Sequence, residues 1–335
     1  MSLEVLWFCL IAVLWAGYFV LEGFDFGVGM LAPVLGRDDD ERHAVIETIG
    51  PVWDGNEVWL VVAAGATFAA FPAWYATMFS GIYLVLLAIL VCLIVRAVSF
   101  DWRGRGDGAR WVRSWRWAST ASSIGAPFLW GLGLAALLHG LPLQSDQSFG
   151  GNVGDVFSAY TVAAGLATVV LFAFHGATFL TLRLDGVLGI RAAALARRLG
   201  LPAAVAVAGV LAWTVAVAVD RNDRSVLPVL VPAAVGGVSV VAGALVGARR
   251  PRWAFGATAV AAAMIVATLF TGLYPRAIVS HPDFSNSLTL SDAATTHYAL
   301  SVITVVAALC TPVVLLYQGW AYHVFRARVG GAPSG

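Results

Sequence analysis

The residues best able to do chemistry in this chain are carboxylic acids set in apolar sequence. Residues 50–60 read GPVWDGNEVWL and place Asp54 and Glu57 three positions apart, between Trp53 and Trp59. Residues 21–30 read LEGFDFGVGM and repeat the arrangement with Glu22 and Asp25. Acids inside membrane helices are costly and mark ion, proton or substrate paths. An i,i+3 spacing sets the two acids of a pair on one helix face, so each stretch offers a two-carboxyl face suited to passing a proton. Trp53 and Asn56 stand where they could line such a path or simply pack. The competing reading is helix capping. Asp54 follows Pro51 and would sit in a first helical turn, where the dipole stabilises a carboxylate by about 0.3–1 kcal/mol. Capping accounts for Asp54 but not for Asp25, which lies among Phe24, Phe26, Val28 and Met30.

The elements that must position these acids are membrane helices. Of 335 residues, 60% are hydrophobic and 12% charged, against about 25% charged in soluble domains. The chain therefore reads as an all-α, polytopic membrane protein with one integral-membrane domain over 1–335. A crossing helix needs about 20 apolar residues. Nine spans meet that measure, at about 3–35, 52–71, 74–98, 117–140, 156–182, 201–219, 226–248, 253–274 and 293–325. The first reads as a permanent span, since the amino terminus lacks the basic region of a cleaved signal. No connecting loop is long enough for a soluble catalytic domain. A net charge of +1 gives no hint of nucleic-acid binding.

Basic residues gather on the cytoplasmic side of membrane proteins. All 20 basic residues are arginine, and 17 of them fall in alternate loops or the carboxy-terminal tail. Only Arg221, Arg224 and Arg276 fall on the other side. This alternation places the amino terminus outside and the carboxyl terminus in the cytoplasm. The four acids then lie at similar depth near the cytoplasmic face, on spans joined by one short linker. Arg96, at the inner end of the third span, can reach the same level.

Other residue types carry less. Of six histidines only His175 sits well inside a span, His43 and His281 falling in loops. A lone buried imidazole is more often a packing group than a haem ligand, and no CxxCH attachment signal is present. Cys9, Cys92 and Cys310 lie in different spans without metal-ligand spacing and read as small buried hydrophobes. Gly23, Gly27 and Gly29 allow either close helix packing or room for water beside the acids. Trp7, Trp74, Trp117, Trp213, Trp253 and Trp320 fall near span ends, as interfacial anchors do.

The stretches GFDFGVGM (23–30) and GPVWDGNEVWL (50–60) resemble subunit II of the cytochrome bd-type quinol oxidases. The likeness extends to the acidic linker 37–47, to FPAWYATMFSG (71–81) and to the nine spans. The resemblance implies two four-helix bundles plus a peripheral helix, in the bacterial plasma membrane. It implies a heterodimer whose haem-bearing subunit I holds two b-type haems, one d-type haem and the quinol-oxidising loop. This chain would bind none of these cofactors, although a structural quinone and a small accessory subunit are compatible with the family. The complex would oxidise quinol and reduce O2 to water with protons taken from the cytoplasm. The family's proton-route acids match Asp25 and Asp54, and Glu22 and Glu57 join them as auxiliaries by sharing their helix faces. Two other readings remain, a secondary transporter or channel that couples ions through these acids, and a purely structural scaffold.

Overall fold

A computed structural model describes residues 2–102, 108–246 and 250–324. Its helices are α1 (Leu3–Leu35), α2 (Asp39–Glu47), α3 (Trp53–Ala70), α4 (Pro72–Gly81), α5 (Tyr83–Trp102), α6 (Ala109–His139), α7 (Ala159–Arg183), α8 (Gly186–Asn222), α9 (Val226–Val246), α10 (Pro251–Leu273), α11 (Leu290–Ala293) and α12 (His297–Val324). Among the described residues, eight helices are long and apolar enough to cross a membrane: α1, α5, α6, α7, α8, α9, α10 and α12. The 18-residue α3 is not among them. Its opening turns carry Asp54, Asn56 and Glu57, whose polarity offsets the apolar remainder.

The central helix is α1, which packs against α3, α6, α7 and α10. Helices α7, α8, α9 and α10 close a ring of neighbours, while α1, α3, α5 and α6 make the other group. Helix α12 lies outside both, touching α3 and α1, with 6% of its membrane-length window buried. Where α1 crosses α7 the backbones meet directly. A Cβ on Gly27 would overlap the Phe172 carbonyl and stand 2.8 Å from Gly176 Cα. Small residues let membrane helices approach this closely, so Gly27 serves packing. Outside the helices, Arg276–Ile278 and Leu288–Thr289 pair as a short antiparallel ribbon, a small departure from an all-α chain.

Several sequence expectations are corrected. The linker at 37–47 is largely helical and includes His43, because Asp38 caps α2 through the Glu41 N–H. The span expected at 74–98 is interrupted at Ile82, between α4 and α5. The helices that carry the spans expected from 117 and from 201 begin earlier, at Ala109 and Gly186. Arg191, Arg197 and Arg198 therefore ride on α8 instead of a loop; Ala, Leu and Arg are strong helix formers, and hydropathy cannot register a helix that continues past the bilayer. Trp7 and Trp74 are buried packing residues, with Trp7 Nε1 donating to Thr304 Oγ1 at 2.9 Å. Cys9 and Cys310 are exposed on the helix surface. Lipid-facing positions are as apolar as core positions, so an apolar setting did not imply burial. Arg103, Arg105, Arg249, Arg326 and Arg328, and the ends of the spans at 226–248 and 293–325, lie outside the described residues.

Candidate functional site

Three helices converge on one buried polar cluster. From α1 come Glu22 and Asp25, both fully buried. One turn separates them, and α1 is enclosed on several sides at this level, so both carboxyls point into protein. From α5 comes Arg96, also fully buried. Its guanidinium pairs with Glu22 and lies 3.7 Å from Glu57 Oε1. Phe26 and Phe100 flank it, their ring centroids 4.6 and 5.4 Å from Cζ. From α3 comes Asn56, whose Nδ2 donates to Asp25 Oδ2 at 2.7 Å and approaches the Leu21 carbonyl at 3.5 Å.

The cluster is electrostatically uneven. Taking an ion out of water costs several kcal/mol even after relaxation, and an opposite charge must offset it. One guanidinium here pairs with two carboxyls, while a third, Asp25, is bonded to Asn56. Arg96 can offset one negative charge, which leaves the other carboxyls without a matching cation in the cluster. Glu22 Oε2, Asp25 Oδ1, Glu57 Oε1 and Arg96 Nε and Nη2 are buried without a protein hydrogen-bond partner. Buried polar groups of this kind are served by ordered water in folded proteins. Chemically, the arrangement can hold a proton, shift it between neighbouring oxygens, and keep a fixed positive charge beside it.

The structure brings together Glu22, Asp25, Asn56 and Glu57, and adds Arg96. It does not bring Asp54 into the cluster. Asp54 is exposed in the first turn of α3, while Glu57, one turn on, is partly buried and faces Arg96. The i,i+3 spacing thus straddles the edge between the covered and open sides of α3. Trp53 packs its ring against Phe100 at 5.2 Å, in edge-to-face contact. Sequence reasoning set Arg96 at the right depth but gave no sign that it would be wholly enclosed. The available signal was an arginine inside LIVRAVSF, two residues before the expected span end at 98.

His175 is fully buried on α7. Its Nε2 lies 3.0 Å from the Val20 carbonyl and its Nδ1 lies 2.7 Å from Thr258 Oγ1. A carbonyl only accepts, so Nε2 carries the proton, while Nδ1 faces the Thr258 hydroxyl, which also reaches the Phe255 carbonyl at 2.9 Å. Both ring nitrogens are engaged, and the ring stacks on Phe255 at 4.8 Å. These contacts do not fit an axial haem ligand. Among the described residues, no group of three or more His, Cys, Asp or Glu is arranged to hold a metal ion.

Fold and site together define a multi-pass helical membrane protein with a buried acid–arginine cluster between its helices. The sequence profile of cytochrome bd terminal oxidase subunit II matches residues 3–325. The chain is 38% identical to cytochrome bd ubiquinol oxidase subunit 2 of Bacillus subtilis over 332 residues, covering 98% of this chain and 97% of the relative. It is 32% identical to cytochrome bd-I ubiquinol oxidase subunit 2 of Escherichia coli, covering 98% of this chain and 95% of that one. Its fold resembles a chain of the bd oxidase from Geobacillus thermodenitrificans, with a TM-score of 0.75, 19% identity and 97% of each chain covered. The chain belongs to the cytochrome bd terminal oxidase subunit II family. It is a subunit of an oxidoreductase complex of respiratory electron transport and a multi-pass protein of the bacterial plasma membrane.

Proposed function

We propose that this chain is the haem-free second subunit of a quinol:O2 oxidoreductase. It supports a haem-bearing subunit I and gives that partner a proton route from the cytoplasm. The observation that carries this reading is the convergence of Glu22 and Glu57 on the buried cation of Arg96, with Asp25 buried one turn from Glu22 and bonded to Asn56. Reduction of O2 to water consumes one proton for each electron delivered, so protons must be led through the membrane-embedded protein. Asp54, exposed on α3, serves as the collecting acid, and Asp25 and Glu22 carry the proton inward with Glu57 beside them. Asn56 orients Asp25, and Arg96 keeps the cluster from accumulating uncompensated negative charge. Trp53 packs at the edge of the route.

In this reading α3 is the ninth span. The acid cluster shortens its apolar run, and the two helix groups are two four-helix bundles with α12 peripheral. The arginine distribution sets the amino terminus outside and the acid cluster on the cytoplasmic side. The haems and the quinol-oxidising loop belong to subunit I. An exposed aspartate on a membrane helix is costly unless covered, so the open face of α3 is suited to that partner.

Asp25→Asn and Glu22→Gln in the assembled complex test the route. Each keeps side-chain shape and removes the exchangeable proton. The expected outcome is normal haem content with O2 consumption lowered about tenfold or more, in line with the loss of a positioned proton-transfer group. Full turnover in both variants would rule out the route. Loss of haem together with turnover would instead assign the cluster to scaffolding.

A further inference from the structure

We propose that the arginine-rich start of α6 binds the phosphate of an anionic membrane phospholipid. Residues Arg110, Arg113, Ser114 and Trp117 are all exposed, and their i, i+3, i+4, i+7 spacing sets them on one helix face. Neither Arg110 nor Arg113 forms an ion pair with a carboxylate among the described residues, whereas Arg116, on the covered side, lies 3.7 Å from Asp39. Two unpaired guanidiniums one turn apart match a phosphate, which arginine recognises by forked, charge-assisted hydrogen bonds.

The depth order is also that of a phospholipid. At 1.5 Å per residue, Trp117 lies about 10 Å along the helix from Arg110, on the side where the apolar span begins. The guanidiniums thus meet the headgroup, and the exposed indole of Trp117 meets the ester and upper acyl region, where tryptophan concentrates. The start of α6 is also tied to α5. Trp111 Nε1 donates to the Trp102 carbonyl at 3.0 Å, closing the start of α6 onto the end of α5. The rings of Trp102, Trp111 and Trp115 cluster, with centroids 5.6 to 6.2 Å apart. These tryptophan contacts join the helix that carries the arginines to α5.

The test uses the assembled complex in nanodiscs of mixed phosphatidylglycerol and phosphatidylcholine, with retained lipid read by native mass spectrometry after release. The wild-type complex is expected to keep phosphatidylglycerol in preference to phosphatidylcholine. Arg110→Gln combined with Arg113→Gln should lose a retained phosphatidylglycerol. The pair Arg197→Gln and Arg198→Gln, exposed arginines on α8, removes the same charge and should lose none at this site. Trp117→Ala keeps both charges and should release the lipid faster in detergent, which preserves a readout if the double variant assembles poorly. The proposal is overturned if the α6 variants retain lipid as the wild type does. It is equally overturned if the α8 control loses as much, or if no lipid is held because a partner subunit covers this face.

Discussion

Arg96 meets the carboxyls of Glu22 and Glu57, with Asp25 buried nearby, and brings a single positive charge to them; that imbalance governs what substitutions will do. Removing it leaves Glu22 buried without its counter-charge, and breaking a buried pair from one side costs about 3–5 kcal/mol. Arg96→Gln is therefore expected to abolish stable assembly, read as loss of thermal stability and of haem in the purified complex. Arg96→Lys keeps the charge but not the planar guanidinium, whose Nη1 faces both Glu22 and Glu57 and whose Cζ lies near the Phe26 and Phe100 rings, so it should assemble and turn over more slowly. A wild-type profile for Arg96→Gln would remove the electrostatic argument. Glu22 and Asp25 were legible as candidates because carboxyls stand out in an apolar run. The separation of Asp54 from the others was not, since i,i+3 spacing says two residues share a face without saying which part of that face is covered.

At the level of elements, the site depends on how closely α1 is held. Gly27 and Gly176 let α1 and α7 touch backbone to backbone, and a methyl there has nowhere to go. Gly27→Ala should destabilise the assembled complex by about 1–3 kcal/mol, the usual range for overpacking. Gly209→Ala on α8, with open space around the added carbon, is the matched control, and thermal unfolding compares them. The far end of α1 is tied by Arg191 on α8, whose Nη1 donates to the Leu35 carbonyl at 3.1 Å and to Glu41 Oε2 at 2.7 Å. The Arg37 N–H and this guanidinium hold the Glu41 carboxyl below the usual carboxylate range. A depressed folded value means that the stabilisation is present at neutral pH and is lost only as pH falls through that lowered range. Arg191→Gln should thus lower thermal stability near pH 7 and leave little difference from wild type in strong acid. A gap that widens on acidification would contradict the assignment.

For the whole molecule, the exposed apolar surface is extensive, and α12 is almost bare on its outer side. In a bilayer that surface faces acyl chains or another subunit. The arginine reading of topology predicts that a green-fluorescent fusion at the carboxyl terminus will fluoresce, since that reporter folds in the cytoplasm. A fusion that stays dark while an amino-terminal reporter responds from inside would invert the orientation. The transporter reading gains nothing from the fold, because the family match spans the chain and the acids crowd α1 and α3. Composition and hydropathic length were enough to determine a multi-pass helical protein, because a bilayer demands about 20 apolar residues per crossing and the chain supplies them repeatedly. Motif chemistry was enough to single out the two acid pairs. Only the tertiary structure decided which acids meet, that Arg96 joins them, that Asp54 stays on the open face, and that His175 has both nitrogens occupied. Those outcomes rest on helix rotation and crossing, which depend on contacts between residues distant in sequence, such as Gly27 with Gly176 and Asp25 with Asn56. Hydropathy carries no information about them, since lipid and protein core are equally apolar surroundings for a membrane helix.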